Sequence, residues 1–259
     1  MGSYLGRHAE LYDVFYQDKD YAREACFVDG CLRDCGVGRK GRLLDLACGT
    51  GRHAFEFETL GYTVSAVDYS ADMVQQAHKR AEQRGSSVSF LHQDMRELDV
   101  PSPPFDAVTC LFDSIGYVQT NDGIHKVLQG IRKHLAAKGV LVVEFWHAPA
   151  MLMSFDPVRV RRWTVPSGEV LRISETKLDV AKQLSSVTYS ILELCADGTF
   201  HEFQETQTNR YFFVPEMKFL LETAGFDVLH CFAGFEKDES ITSETWHVIA
   251  VARVREGTA

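Results

Sequence analysis

The sequence predicts an α/β protein built on a doubly wound, mostly parallel seven-stranded sheet, with an antiparallel β insertion after the fifth strand. Three observations lead there. Through residue 147, short β-branched runs alternate with helical patterns, as they do where crossover helices join parallel strands. After Trp146 the pattern changes to turn residues and long polar–apolar alternation, which suits antiparallel strands with one wet face. From residue 214 it reverts to one helix and two final strands.

An N-terminal helical segment, including "YAREACFVDGCLRDCG", comes first. Strands are expected at 42–47, 63–68, 88–93, 105–112 and 139–146. The helices among them are "HAFEFETLG", "SADMVQQAHKRAEQRG" and "NDGIHKVLQGIRKHLAAKG". Ser70 is placed to N-cap the second of these, with Asp72 in its first turn and Gly85 beyond its last. Right-handed crossovers then collect the strand C-termini along one edge of the sheet, where ligands bind. In the insertion, 148–213, Pro149, Pro157, Pro166 and Gly168 break the chain before three strand-like runs, "EVLRISETKLDV", "LSSVTYSILELC" and "TFHEFQETQTNRYFF". The expected division is a ligand-binding core at 1–147, this insertion as a cap or subunit contact, and 214–259 completing the core. A homodimer is the expected assembly.

Composition narrows the function. With 259 residues the chain can bury a full core, and 45% apolar with 24% charged residues is ordinary for a globular protein. A net charge of −9 opposes a broad grip on nucleic acid. No apolar run is long enough to span a bilayer and the first residues lack a leader pattern, so no membrane contact and a cytoplasmic location are expected. The seven cysteines are odd in number and scattered, which points to reduced thiols. Cys26, Cys31 and Cys35 match no zinc spacing and are expected as small buried hydrophobes on a helix; no metal is expected.

The chemistry starts at "RLLDLACGTGRHA". A Gly-x-Gly turn between a strand and a helix brings backbone N–H groups close to a ligand, and alone it fits a dinucleotide pyrophosphate as well as other ligands. Asp45, four residues before Gly49, is better suited to a cationic amino acid than to a diphosphate. Asp68 ends the second strand, where a carboxylate binds ribose hydroxyls. "HQDM" ends the third, placing Asp94 to accept from an adenine amino group and Met95 to pack on its ring. The set favours a compact adenosine ligand that carries a positive charge.

"LLDLACGTGRHA", "VDYSADMVQQA", "QDMREL" and "FDAVTCLFDSIGYV" together resemble, in order and spacing, the motifs of class I S-adenosylmethionine (SAM) dependent methyltransferases. The resemblance covers roughly residues 12–146 and implies that family's fold and SAM as cofactor. It also implies that Ala47, Gly49 and Gly51 form the methionine-side loop, that Asp68, with Tyr69 beside it, binds the ribose, that Asp94 and Met95 hold adenine, and that Leu111 packs near the cofactor. Two further segments, "YDVFYQDKDY" and "DSIGY", resemble the sugar N,N-dimethyltransferases that act on nucleotide-linked amino sugars. That likeness implies that Tyr12 faces the substrate amine, that Tyr21 contacts SAM, and that Tyr117 stands where the family has a histidine. A tyrosine, with an ordinary pKa near 10, is a poor base at neutral pH. His147, directly after the fifth strand, is therefore a second candidate for proton removal, and Glu144 and Trp146 are expected to line the pocket.

The implied activity is methyl transfer to a small-molecule acceptor, with an amine such as an amino sugar foremost. Hydroxyl or carboxylate acceptors, an NAD-linked oxidoreductase and a non-catalytic SAM-binding protein are the alternatives. Arg159, Arg161 and Arg162 in "DPVRVRRW" suit a nucleotide diphosphate or a solvated strand of alternating charge.

Overall fold

A computed structural model describes residues 6–101, 104–255 and 257; residues 1–5, part of the stretch without a leader pattern, lie outside them. Two helices, α1 (Arg7–Phe15) and α2 (Tyr21–Asp34), precede the sheet. The core then runs β1 (Arg42–Leu46), α3 (Arg52–Thr59), β2 (Thr63–Asp68), α4 (Ala71–Arg84), β3 (Ser89–His92), β4 (Phe105–Cys110), α5 (Asn121–His134) and β5 (Leu135–Trp146). A short helix, α6 (Ala148–Ser154), leads into β6 (Val158–Val165), β7 (Gly168–Asp179), β8 (Leu184–Cys195) and β9 (Phe200–Arg210). The chain returns through α7 (Val214–Thr223), β10 (Phe226–Ala233) and β11 (His247–Val254).

The main sheet has the order β10-β11-β5-β4-β1-β2-β3. All neighbours from β5 to β3 are parallel, and β11 lies antiparallel between β10 and β5. The seven-stranded, mostly parallel expectation therefore holds, with the reversed strand supplied by the final hairpin. The order in which the chain adds strands reverses between β1 and β4, which opens a crevice at their C-terminal ends. The period of two sorts the apolar residues onto both faces. Leu43 packs with α2, α3 and α4, while Leu44 and Leu46 pack with α5 and α7. The ends of α4 fall where the caps place them, since Ser70 Oγ accepts from Met73 N–H and Gly85 is left-handed.

Four expectations need correction. The fifth strand begins at Leu135 and not at 139: Leu135 is buried and pairs with Phe105, which ends α5 at His134 and takes "LAAK" from the helix. The insertion holds four antiparallel strands, because "VRVRRW" pairs along its whole length with β7. Pro149 does not break the chain but starts α6, where its missing N–H costs nothing. Of the clustered cysteines expected as buried, Cys31 on α2 is buried, Cys35 at its C-cap is half-buried and Cys26 is exposed.

The two sheets touch at one tight point. A 3-10 turn, Ser114–Val118, follows β4 and lies against the end of β9. A Cβ on Gly116 would come within 2.5 Å of the Arg210 carbonyl oxygen, so only glycine allows this approach. Gly116→Ala should lower stability by about 1–3 kcal/mol in urea unfolding; an unchanged midpoint would mean that the contact between the sheets has slack.

Candidate active site

The turn after β1 is shaped by three left-handed residues, Ala47, Gly49 and Gly51, at φ of 53°, 56° and 81°. Glycine is needed at position 51 because a Cβ there would overlap the Phe90 ring, 2.7 Å away. Gly51 thus seats α3 on β3 and stays beneath the cavity, whereas Ala47 and Gly49 line it. At Gly49 the open side looks onto Tyr12, whose hydroxyl oxygen is 3.9 Å from the position of a Cβ.

Asp68 fixes the turn. One carboxylate oxygen accepts from Gly49 N–H and the other from Ser70 N–H, each at 2.8 Å. Burial pushes its pKa up despite these bonds. Asp45, on β1, is 2% exposed. Its Oδ1 accepts from Thr109 Oγ1 at 2.7 Å, while its Oδ2 is buried without a partner. Desolvation raises the Asp45 pKa to about 6, with His53 opposing. A buried carboxylate oxygen in need of a donor, beside a turn open to close approach, fits the ammonium end of SAM.

Further along the same edge Tyr69, Asp94, Met95 and Leu111 line the cavity. Tyr69 is half exposed and its carbonyl is 2.8 Å from His92 Nε2. Asp94 pairs with Arg96, whose guanidinium holds its pKa below the usual carboxylate range. An adenine amino group would share that carboxylate with the guanidinium.

Helix α1 roofs the site. Thr50 Oγ1 donates to Asp13 at 3.0 Å, and Arg80 also pairs with Asp13, so the helix is tied to the turn it covers. Tyr12 is buried with its ring 4.7 Å from that of Tyr16, and both line the cavity, as does Tyr21 at the start of α2. Burial raises the pKa of Tyr12 and Tyr21. Phe15 is buried in the core, whereas Tyr16 is half-buried and belongs to the cavity wall.

The far wall is the inner face of the antiparallel sheet. Tyr117 donates its hydroxyl to Gln207 Oε1 at 2.9 Å, and Gln207 donates to Glu205 at 2.8 Å. Arg159, Arg161 and Arg172 share this face, with Arg161 directly opposite Arg172 in register. Arg162 points elsewhere, 3.3 Å from Glu169. Arg172 is 8% exposed, with Nε and Nη1 unpartnered and the rings of Phe15, Trp163 and Tyr189 about it at 4.7, 5.1 and 5.1 Å. Aromatic faces offset part of the cost of burying this charge.

His147 is not brought in. It is 6% exposed, outside the cavity lining, with Nδ1 3.0 Å from the Thr245 carbonyl, and burial lowers its pKa. The strand that carries Glu144 turns its next residues inward to bridge Phe212, which takes the imidazole with it. Besides His53, whose Nε2 is 2.8 Å from Glu24 Oε2, the imidazole that lines the cavity is that of His247, opposite Trp146 in register, and sequence reasoning missed it. Its Nδ1 lies 2.9 Å from Asp113 Oδ2 and 3.1 Å from Glu144 Oε1. Only "FDSIGY", already marked as a substrate segment, gave any signal for Asp113. Trp146, Asp113 and His247 line one cavity of about 1090 Å³ between the cofactor turn and the antiparallel sheet, whereas Glu144, expected in that lining, is buried behind it.

Residues 43–139 match the family model for the methyltransferase domain. The chain is 34% identical over 203 residues, 77% of its length and 76% of the relative's, to dTDP-3-amino-3,6-dideoxy-alpha-D-glucopyranose N,N-dimethyltransferase of Streptomyces fradiae. It is 30% identical over 205 residues, 78% of its length and 79% of the relative's, to dTDP-4-amino-2,3,4,6-tetradeoxy-D-glucose N,N-dimethyltransferase of Saccharopolyspora spinosa. Among solved structures, a sugar N-methyltransferase from Streptoalloteichus superposes with a TM-score of 0.79 at 26% identity, covering 99% of this chain and 96% of that one. With its class I fold and an Asp45–Asp68 floor suited to SAM, this chain belongs to the SAM-dependent methyltransferase family that includes these sugar N,N-dimethyltransferases.

Proposed function

We propose that the protein methylates the amine of a sugar carried on a nucleoside diphosphate. The observation that carries this reading is the set of guanidinium groups on the inner face of the antiparallel sheet. Arg161 faces Arg172 across the strands, with Arg159 two residues before it. Like charges in that arrangement repel, and an unpaired buried guanidinium is costly, so the wall suits a strongly anionic ligand. A diphosphate is the group that guanidinium forks recognise best. The names of the two relatives, each an N,N-dimethyltransferase of a dTDP-amino sugar, support the same acceptor.

When bound, SAM supplies an electrophilic sulfonium methyl that needs no activation by the protein. The chain's task is to bring a neutral amine in line with the methyl at about 3 Å and to exclude water. Tyr12, above Gly49, closes the site at the point where the cofactor turn meets the acceptor space. The Tyr117 hydroxyl proton is committed to Gln207, so towards a ligand this group acts as an acceptor. It can orient an amine N–H without taking the proton, which suits its high ordinary pKa.

Incubation with SAM and a dTDP-linked amino sugar should yield S-adenosylhomocysteine and a product heavier by one, then two methyl groups. No product with any amino sugar would defeat the reading. Arg172→Gln should raise KM for the nucleotide-linked sugar about tenfold or more and leave the free amino sugar unaffected; equal effects on both would remove the diphosphate from this wall. SAM affinity should also depend on pH. Asp45 is neutral below about 6 and ionised above it. Calorimetry between pH 5 and 7 should therefore show binding tighten about three- to tenfold with rising pH, and Asp45→Asn should abolish the rise.

A further inference from the structure

Three side chains meet at the C-terminal ends of β4, β5 and the start of β11, and the roles given above leave them unused. Asp113 and Glu144 are buried, at 3% and 1% exposure, in the wall behind Tyr117. Phe112 and Asp113 are both left-handed at φ 57°, a strained turn that the bond from Phe112 N–H to Glu144 Oε2 at 2.5 Å helps to hold. His247 enters from β11, with Nδ1 buried against both carboxylates. The ring is 40% exposed, so its free edge is the opposite one, which carries Nε2 and faces the cavity.

The charges around this ring come from three elements. Asp113 and Glu144 flank it. Lys19 lies over the Phe112 ring at 4.4 Å, near both carboxylates, and is paired with Glu24 at 2.5 Å. Cys110 sits beneath, its thiol kept neutral by burial and by the same acids. Burial works against a charge on His247, but the two carboxylates outweigh it and raise its pKa far above the ordinary imidazole value. Burial raises the Asp113 pKa to about 6, so above that pH a protonated ring between two ionised carboxylates leaves the cluster with a net single negative charge and one N–H directed at the cavity.

We propose that His247 is an acceptor-binding residue of the methyl transfer: its outer ring nitrogen donates to a sugar oxygen beside the reacting amine, while Asp113 and Glu144 fix the ring and favour the ammonium that forms. This rests on the amine reading above. The nitrogen lone pair forms the N–CH₃ bond while the S–CH₃ bonding pair returns to sulfur, so the positive charge passes to nitrogen; the proton of the new ammonium then leaves to water. Negative charge near nitrogen favours that passage.

The test compares His247→Asn, His247→Gln and Glu144→Gln in the full chain with SAM and a dTDP-amino sugar. Asparagine keeps an inward donor for the carboxylates but lacks the outer N–H, and glutamine restores a donor at the outer position. His247→Asn should bind SAM within about twofold of the parent by calorimetry and raise acceptor KM about tenfold or more; His247→Gln should recover part of that loss. In Glu144→Gln the ring loses an anion and its pKa falls. Once neutral, the ring keeps its proton on Nδ1 towards the ionised Asp113, so activity relative to the parent should decline as pH rises from 7 to 9, above the range in which Asp113 titrates. An unchanged acceptor KM in His247→Asn, or a ratio independent of pH, overturns the proposal. So does loss of parent activity on chelation with recovery on adding a divalent cation, since the three ligand atoms lie within 4.8 Å of one another and would then be holding a metal. A parent enzyme inactive on every amino sugar defeats the amine reading itself and takes this proposal with it.

Discussion

One carboxylate holds the cofactor half together. Asp68 spends both oxygens on backbone N–H groups, one from the glycine turn and one from Ser70, the N-cap of α4. A buried carboxylate without donors would be costly, and two amide bonds make it tolerable. The turn cannot shift without leaving that charge unpaired. Tyr12, tied down through the Asp13–Thr50 bond, is registered against the same turn, so the roof inherits its position from the floor.

The buried carboxylates Asp45 and Asp68 lie on the cavity floor, where Asp94 is paired with Arg96; the far wall carries Arg159, Arg161 and Arg172. In a chain of net charge −9 this basic wall is local, and it exists because β6 and β7 turn their arginines to the same inner face. The wall meets the floor through the 3-10 turn, where Gly116 touches β9 and Tyr117 reaches Gln207.

What could be read from the sequence was what local pattern controls. Alternating runs and caps placed β1 to β4 and α4 closely, and the motif residues Ala47, Gly49, Asp68, Tyr69, Asp94, Met95 and Leu111 all reach the cavity. The N-terminal tyrosines 12 and 21 and Tyr117 do so too. Gly51 carries the same motif signature but serves packing against Phe90, a distinction that only three dimensions reveal. The start of β5 was hidden because "LAAK" favours a helix locally, while pairing of Leu135 with Phe105 decides for a strand. His147 and His247 differ in a way no local pattern records. One follows β5, and the other lies opposite Trp146 only because the last strand runs antiparallel, some hundred positions later in the chain.

The inner wall of the second sheet has a consequence for how such enzymes diversify. Side chains of β7, β8 and β9 such as Arg172, Ser174, Val187 and Tyr189 face the ligand space, while the continuous backbone ladder that sets their register does not depend on them. Exchanging those residues recasts the shape and polarity presented to an incoming molecule and leaves the nucleoside pocket on β1 and β2 untouched. The layer that meets the incoming molecule is thus separable from the layer that holds the donor, whose turn is fixed by its own tight geometry.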